Sequence, residues 1–391
     1  MRSPLSQARR DRSSRLLATL LVVGCTHQPA APAVAFDSPV FVTAAGDTVP
    51  MTEGLRIGVL DGSDKYQFTR ILWVRPTPNN GVMLFDQGAD NNGATVRRFD
   101  SLGKYVRSIG RTGEGPGEYG AFPEGTILKD GSLLLADQGL ERMTRYDTSG
   151  RASGTWRGPP GIVDLVAASD GGWYVASATN AFSKKPRTIT YLHYTGLGVA
   201  DDTILAPQAY LDGPWDLFAI AMTIILPNGT TVASRTDSFA FTLFGASGPR
   251  HVVHEVPHAR FLPQEKKMLI ATMKAVARRS GNAVSSFEIP DVKQAYRYLV
   301  TDDQGRILLL LHTAATETHP EAPLRPNQTP WRETCQVDAF DSDGNYLGRL
   351  ITPPAVQQRG FAFTQGAVWL VHEGPSGEEY LVKWLPLRAA W

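Results

Sequence analysis

At 391 residues the chain is long enough for two domains or one large β domain, and Lys plus Arg (39) nearly balance Asp plus Glu (38). No block of like charge appears, which argues against nucleic acid or anionic lipid headgroups as partners. Its two cysteines cannot supply a disulfide framework, so the fold must be held by its apolar core.

The first segment reads as an export signal. Arg2, Arg9, Arg10, Arg12 and Arg15 precede the apolar run Leu16–Val23, which is too short to span a bilayer. Val22-Val23-Gly24-Cys25 then resembles a bacterial lipobox, with Cys25 as the lipidated first residue of the mature chain. Residues 1–24 form the predicted signal peptide and 25–36 a Pro- and Ala-rich tether. Removing five Arg and one Asp with the leader leaves 34 basic against 37 acidic residues, a net charge of −3.

From residue 37 onward, short apolar runs are separated by turns rich in Gly, Asn and Asp. One series comprises Asn79-Asn80-Gly81, Asp130-Gly131, Asp170-Gly171-Gly172, Pro227-Asn228-Gly229, Asp303-Gln304-Gly305 and Thr364-Gln365-Gly366. A second is interleaved with it, at 100–103, 147–150, 194–198, 244–248 and 341–344. These residue types accept positive φ at little cost and mark hairpins. A repeat of roughly 40–50 residues then favours a β-propeller over stacked sandwiches.

If the first series holds the A–B turns of four-stranded blades and the second the C–D turns, the ring can be counted. Blade 1 runs from about Thr69 to Ile109, blade 2 from Gly125 to Trp156 and blade 3 from Ile162 to Leu205. Blade 4 runs from Leu217 to Val256, blade 5 from Tyr296 to Ile351, and blade 6 begins near Phe361. Blade 6 runs out of chain after three strands. A segment from the N-terminus, Val40–Ala44 or Leu55–Leu60, is expected to supply the fourth, since closure removes aggregation-prone edges. The expected fold is therefore an all-β, six-bladed propeller over residues 37–391, with one helical insertion, Pro263–Arg279, between blades 4 and 5. Pro263 and Glu265 suit that helix's first turn, Arg278 and Arg279 its last, and Leu269, Thr272, Met273 and Val276 share a face. Cys335 is expected to be a small buried residue at the start of a blade 5 strand.

The stretch Phe99-Asp100-Ser101-Leu102-Gly103-Lys104-Tyr105-Val106-Arg107-Ser108-Ile109-Gly110-Arg111-Thr112-Gly113-Glu114-Gly115-Pro116-Gly117-Glu118-Tyr119 resembles the signature of bacterial six-bladed, NHL-like propeller lipoproteins. Leu135-Ala136-Asp137 followed by Met143-Thr144-Arg145-Tyr146-Asp147 is similar to the step from strand B to strand C in that family. The resemblance is specific over residues 99–150 and architectural beyond them. It implies a fold and an envelope location, facing the periplasm or held in the outer membrane, more than it implies a chemistry.

Strand direction places the A–B and C–D turns on one face, all of them tight. The long insertions 111–124, 177–187, 257–294 and 313–334 fall on the other, and loops of that length are more often functional than idle. Ends of B strands bring Asp86, Asp137, Arg235, His312 and His372 towards the channel mouth on that face. Starts of A strands bring Arg70, Glu124, Asp164, Asp216, Tyr296, Arg297 and Arg359. Mixed charge around a concave mouth suits a polar small molecule, a peptide or an envelope protein. Two motif matches lack their context. His254-Glu255-Val256-Pro257-His258 fits H-E-x-x-H but follows strand sequence, and Pro257 would interrupt the helix that zinc ligation needs. Gly115–Gly120 fits G-x-G-x-x-G but leads into another strand, not a helix. The expectation is a non-catalytic, lipid-anchored propeller without a cofactor. The alternative resembles the propeller lactonases and lyases, with a divalent metal held at the mouth by residues such as Glu124, Asp164, Asp216, His312 and His372.

Overall fold

A computed structural model describes residues 40–44, 48–88, 93–120, 122–179, 188–207, 220–279, 289–317, 330–352, 360–364 and 366–387. Six antiparallel four-stranded units follow one another through residues 48–387. Blade 1 is Ile71–Pro76, Val82–Asp86, Thr95–Phe99 and Tyr105–Ile109; blade 2 is Glu124–Ile127, Leu133–Asp137, Arg142–Tyr146 and Ala152–Arg157. Blade 3 is Ile162–Ala167, Trp173–Thr179, Thr188–Tyr194 and Asp202–Leu205; blade 4 is Ala221–Ile225, Thr231–Arg235, Ala240–Gly245 and Gly248–Glu255. Blade 5 is Tyr296–Thr301, Ile307–Leu311, Gln336–Phe340 and Tyr346–Ile351. Blade 6 takes Ala362–Thr364, Ala367–Glu373 and Glu379–Pro386 from the end of the chain and its outer strand, Thr48–Ile57, from the beginning.

Closure thus occurs as expected, with a refinement. The closing strand pairs antiparallel with Glu379–Pro386 from Met51 to Ile57, and its first residues, Thr48–Pro50, lie parallel to Arg349–Ile351 of blade 5. Val40–Ala44, the other candidate, instead adds a fifth, parallel strand to blade 4 along His251–Glu255. One N-terminal stretch therefore caps the outer edges of three blades. Sequence pattern could not separate the two candidates, because each is a short apolar run whose partner lies far away in the chain.

The turn chemistry is as the sequence implies. In all but one of the eleven turns a Gly takes φ between 75° and 102°, from Gly103 through Gly366. The exception is the first, where Asn80 takes φ 58° and Gly81 is needed for space: a Cβ there would meet the Phe99 carbonyl oxygen at 2.5 Å. Aspartates open many of these turns by accepting backbone N–H bonds two and four residues on, as Asp100 does from Leu102 and Lys104 and Asp147 from Ser149 and Arg151.

Blades bury alternate faces against both neighbours, so the core divides into six inter-blade clusters. Strand B is buried along most of its length in every blade, and in blades 1 and 5 it is a continuous apolar run, Val82–Phe85 and Ile307–Leu311, because both of its faces are covered. Blades 5 and 6 meet through Leu308, Leu310, Phe363, Leu370 and Trp384, with Val49 and Met51 of the closing strand. Blades 6 and 1 meet through Val371, Trp369, Val74 and Leu84, with Ile57. Among the described residues the interface of blades 3 and 4 is the most thinly filled, built on Ala168, Ala176, Ala178 and Ala206 around Tyr174, Tyr191 and Ile225. Gly161 lies beside this region with φ 67°, and a Cβ there would run into the Ala178 carbonyl oxygen. Gly161→Ala is expected to lose roughly 1–3 kcal/mol, read as a lower midpoint in denaturant unfolding.

The helix Pro263–Arg279 forms where the sequence places it, with Glu265 in its first turn and Leu269, Thr272 and Met273 half-buried. It belongs to the smaller of two compact units.

Candidate functional site

At the long-loop end of the ring, the polar residues fall into two groups: carboxylates spent on the fold and groups left with capacity. Asp86 and Asp137 belong to the first. Asp86, at the end of strand B in blade 1, is buried, accepts the backbone N–H groups of Thr69 and Arg70 and lies 3.2 Å from Arg97. Asp137, its counterpart in blade 2, accepts from Gly120 and Leu140. These aspartates tie each D–A connection to the blade and are not free for a ligand.

Glu124 and Asp164 differ. Glu124 opens strand A of blade 2 and Asp164 is the third residue of strand A of blade 3, and these two innermost strands touch. Among the described residues no side chain donates a hydrogen bond to either. Asp164 accepts only the N–H of Leu165, at 2.8 Å, and the nearest cation to Glu124 is Arg75, at 4.0 Å. Arg75 comes from strand A of blade 1, rests over Trp73 and donates its Nε–H to the Gly125 carbonyl. Burial pushes the Glu124 carboxyl up to about 7; Arg75 opposes this and Asp164 adds to it. Burial also raises Asp164, against Arg75 and the Leu165 N–H. Glu124 nevertheless keeps 43% of its side-chain surface accessible, so it is crowded rather than sealed. A carboxyl that binds its proton more tightly in the folded chain makes stability fall as pH rises from the ordinary value near 4.5 towards 7. Glu124→Gln should remove that part of the slope, measured as unfolding free energy across this range.

Blade 5 holds a second cluster. Its centre, Glu333, went unnoticed in the sequence. Glu333 ends a short strand, Trp331–Glu333, paired with Ala315–Glu317 inside the B–C insertion. Its carboxylate accepts from Lys293 Nζ at 2.8 Å, lies 2.7 Å from Arg297 and 3.1 Å from His312 Nδ1, and accepts the Thr313 N–H at 2.8 Å. Burial alone would raise its pKa, but the His312 hydrogen bond and the charges of Arg297, His312 and Lys293 outweigh this and hold it far below the carboxylate range. Burial lowers the His312 pKa, assisted by Arg297 and Lys293 and opposed by Glu333.

The other expected residues do not join these clusters. Tyr296 is fully buried and bonded to Ser234, so it serves the interface of blades 4 and 5. His372 is half-buried: Trp384 Nε1 donates to it at 3.1 Å, and burial lowers its pKa to about 4, assisted by Arg56 and opposed by Glu53 of the closing strand. Arg235 pairs with Asp237 at 3.5 Å, and Arg70 is exposed. Cys25, Asp216 and Arg359 lie outside the described residues.

Both motif matches resolve into structure. His254 sits in a strand, buried, 2.9 Å from Asp338, while His258 Nδ1 bonds the Lys293 carbonyl. These residues border an open groove of about 550 Å³ between 237–240 and 253–258, whose two histidines are thereby already engaged. In the glycine-rich segment Tyr119 is buried between blades 1 and 2, accepts the Val96 N–H and donates to the Ile109 carbonyl. Cys335 is buried as expected, and burial pushes its thiol up to about 12. Among the described residues no three His, Cys, Asp or Glu side chains converge as metal ligands.

Residues 78–196 match a family model described as a 6-bladed beta-propeller. The chain is a six-bladed β-propeller. Among solved structures the propeller is similar to a Bacteroides fragilis protein described as exported, at 10% identity and a TM-score of 0.52, covering 89% of this chain and 99% of that one. At this identity the likeness shows the fold. A gluconolactonase from Xanthomonas campestris aligns at 17% identity, over 92% of this chain and 100% of that one, with a TM-score of 0.39. Virginiamycin B lyase from Staphylococcus aureus aligns at 9%, over 84% and 98%, with a TM-score of 0.39. No curated protein matches the sequence.

Proposed function

We propose that this propeller is an exported, lipid-anchored envelope protein that binds a polar small molecule or peptide at the long-loop mouth of its channel, without catalysis. The observation that carries this reading is the contrast at that end of the ring. Asp86 and Asp137 are consumed by backbone donors, whereas Glu124 and Asp164 accept nothing from any described side chain and stay partly open. Carboxyl groups kept in that condition have hydrogen-bonding capacity for a ligand, at a concave place where few polar groups converge.

The test is a thermal-shift screen of polar metabolites and short peptides, followed by affinity measurements on variants of both faces. Glu124→Gln and Asp164→Asn should weaken a hit about tenfold or more, as expected for losing hydrogen bonds to charged groups. Asp130→Ala and Asn228→Ala, in the tight turns, should not. Binding that depends on the tight turns and ignores Glu124 and Asp164 would overturn the assignment.

Anchoring rests on the leader and on Cys25. Among the described residues no helix is long and apolar enough to cross a membrane. Wild-type protein should partition with membranes, because several acyl chains hold far better than one. Cys25→Ala should yield a soluble or uncleaved form; equal membrane partitioning of both would contradict lipidation.

A further inference from the structure

The Glu333 cluster holds more donors than its acceptor can satisfy. An ionised carboxylate offers about four lone-pair sites, and Lys293, Arg297, His312 and Thr313 occupy them. Arg297 brings five N–H donors and reaches this carboxylate through one nitrogen. Its Nε is buried with no acceptor, and 32% of its side chain remains accessible. Arg107, Arg142 and Arg250 also bury an Nε without an acceptor. Each of these places a terminal nitrogen on a neutral acceptor, the Ser149 or Glu118 carbonyl or Asn345, whereas Arg297 shares a carboxylate with three other donors. Arg349 and Arg306 are better matched. Arg349 places both Nε and a terminal nitrogen on Asp338, and Arg306 reaches Asp302 and the Thr364 carbonyl. Arg297 therefore has planar donor capacity left over, of the geometry that carboxylates and phosphates accept.

His312 stands beside it on the same carboxylate. Its Nδ1 faces Glu333, so the opposite ring nitrogen, Nε2, is the one left for a ligand. Tyr296, the neighbour of Arg297, opens strand A of blade 5, and His312 directly follows strand B, so both groups lie at the long-loop end.

We propose that Arg297 and His312 together receive an oxyanion of the ligand, a carboxylate or phosphate group, with Glu333 as the residue that positions both. The inference rests on the reading that ligands bind at this end of the ring and names the chemistry of one half of them. Among the described residues the charged groups acting on His312 are Glu333, Arg297 and Lys293. An added anion beside it would favour the imidazolium, so binding should take up a proton and tighten as pH falls through the His312 titration.

The experiment is a histidine-detected NMR titration of the full chain with succinate in one arm and inorganic phosphate in the other, on wild type, Arg297→Gln and Arg297→Lys. A saturable shift of the His312 signals, with a raised titration midpoint, is expected in at least one arm, and the responding arm identifies the group. Affinity should fall about tenfold in Arg297→Gln. Arg297→Lys keeps the charge on Glu333 but loses the planar donor pair, so it should also bind more weakly, and it serves if the Gln variant does not fold. No saturable response in either arm, or one unchanged in both variants, overturns the proposal. If oxyanions fail while Glu124→Gln still weakens another ligand, the mouth stands as the binding end and only this inference is lost.

Discussion

Deleting residues 36–60 is expected to abolish the cooperative unfolding transition of the whole ring. The closing strand supplies Ile57 to the interface of blades 6 and 1, and Val49 and Met51 to that of blades 5 and 6. Each of these buried side chains is worth about 1.5–3 kcal/mol. Their loss removes much of a native margin of about 5–15 kcal/mol before the broken ladder with Glu379–Pro386 is considered. The deletion also bares the edge of blade 6 and uncovers Arg349–Ile351 in blade 5, so aggregation should accompany the loss. Removing 36–46 alone strips the parallel strand Val40–Ala44 from blade 4 while leaving Thr48–Ile57 in place, and should cost far less. Circular dichroism melts of the two truncations decide the point. A full deletion that melts cooperatively at the wild-type temperature would show that the segment is only a tether.

Asp338→Ala should be the most damaging single substitution at the interface of blades 4 and 5. The Asp338 carboxylate, fully buried, is held by Arg349 at 2.6 and 2.7 Å and by His254 at 2.9 Å, with the Tyr346 hydroxyl at 3.3 Å. Burial opposes its ionisation, but the Arg349 and His254 hydrogen bonds outweigh burial and lower its pKa. Removing it takes from Arg349 and His254, which packs on Phe340 and Tyr346, the carboxylate they share, at a cost of about 3–5 kcal/mol. The lowered pKa fixes the sign with pH: this stabilisation is complete above the ordinary Asp value near 3.8 and fades as pH falls below it. Urea unfolding of wild type and variant should therefore differ most near neutrality and converge in acid. A constant difference across that range would mean that ionisation of Asp338 is not what stabilises the cluster.

Turns and strands were readable because hairpins impose local rules. Gly at positive φ, Asp at the turn entrance and doubly buried B strands are each visible within ten residues or so. The blade count and the helix Pro263–Arg279 followed from such signals. The closing strand was half readable. A missing fourth strand implied it, but Val40–Ala44 and the segment ending at Ile57 look alike until their distant partners are known. The site was least readable. Strand direction placed Glu124, Asp164, Arg297 and His312 at the same end, yet it also proposed Tyr296, which is turned into a core, and His372, which is half-buried and bonded to Trp384. Side-chain direction at a strand end depends on local bulges, and registers do shift at Ile162/Asp164 and Tyr296/Tyr298, where A strands begin. Glu333 gave no signal because it lies in an insertion whose length was visible but whose course was not. Arg75 could have been found, as the one charged residue in the otherwise apolar strand Ile71–Pro76.

The central claim is that ligands bind at the long-loop mouth, and crystallographic fragment screening tests it most directly. Crystals of the mature chain would be soaked with polar fragments that include amines, sugars and carboxylic acids. The account predicts that bound fragments gather at the long-loop end, in contact with Glu124, Asp164 or Arg297. Fragments that gather instead over the tight turns at Asp130, Asn228 and Asp341, leaving the mouth empty, would contradict it.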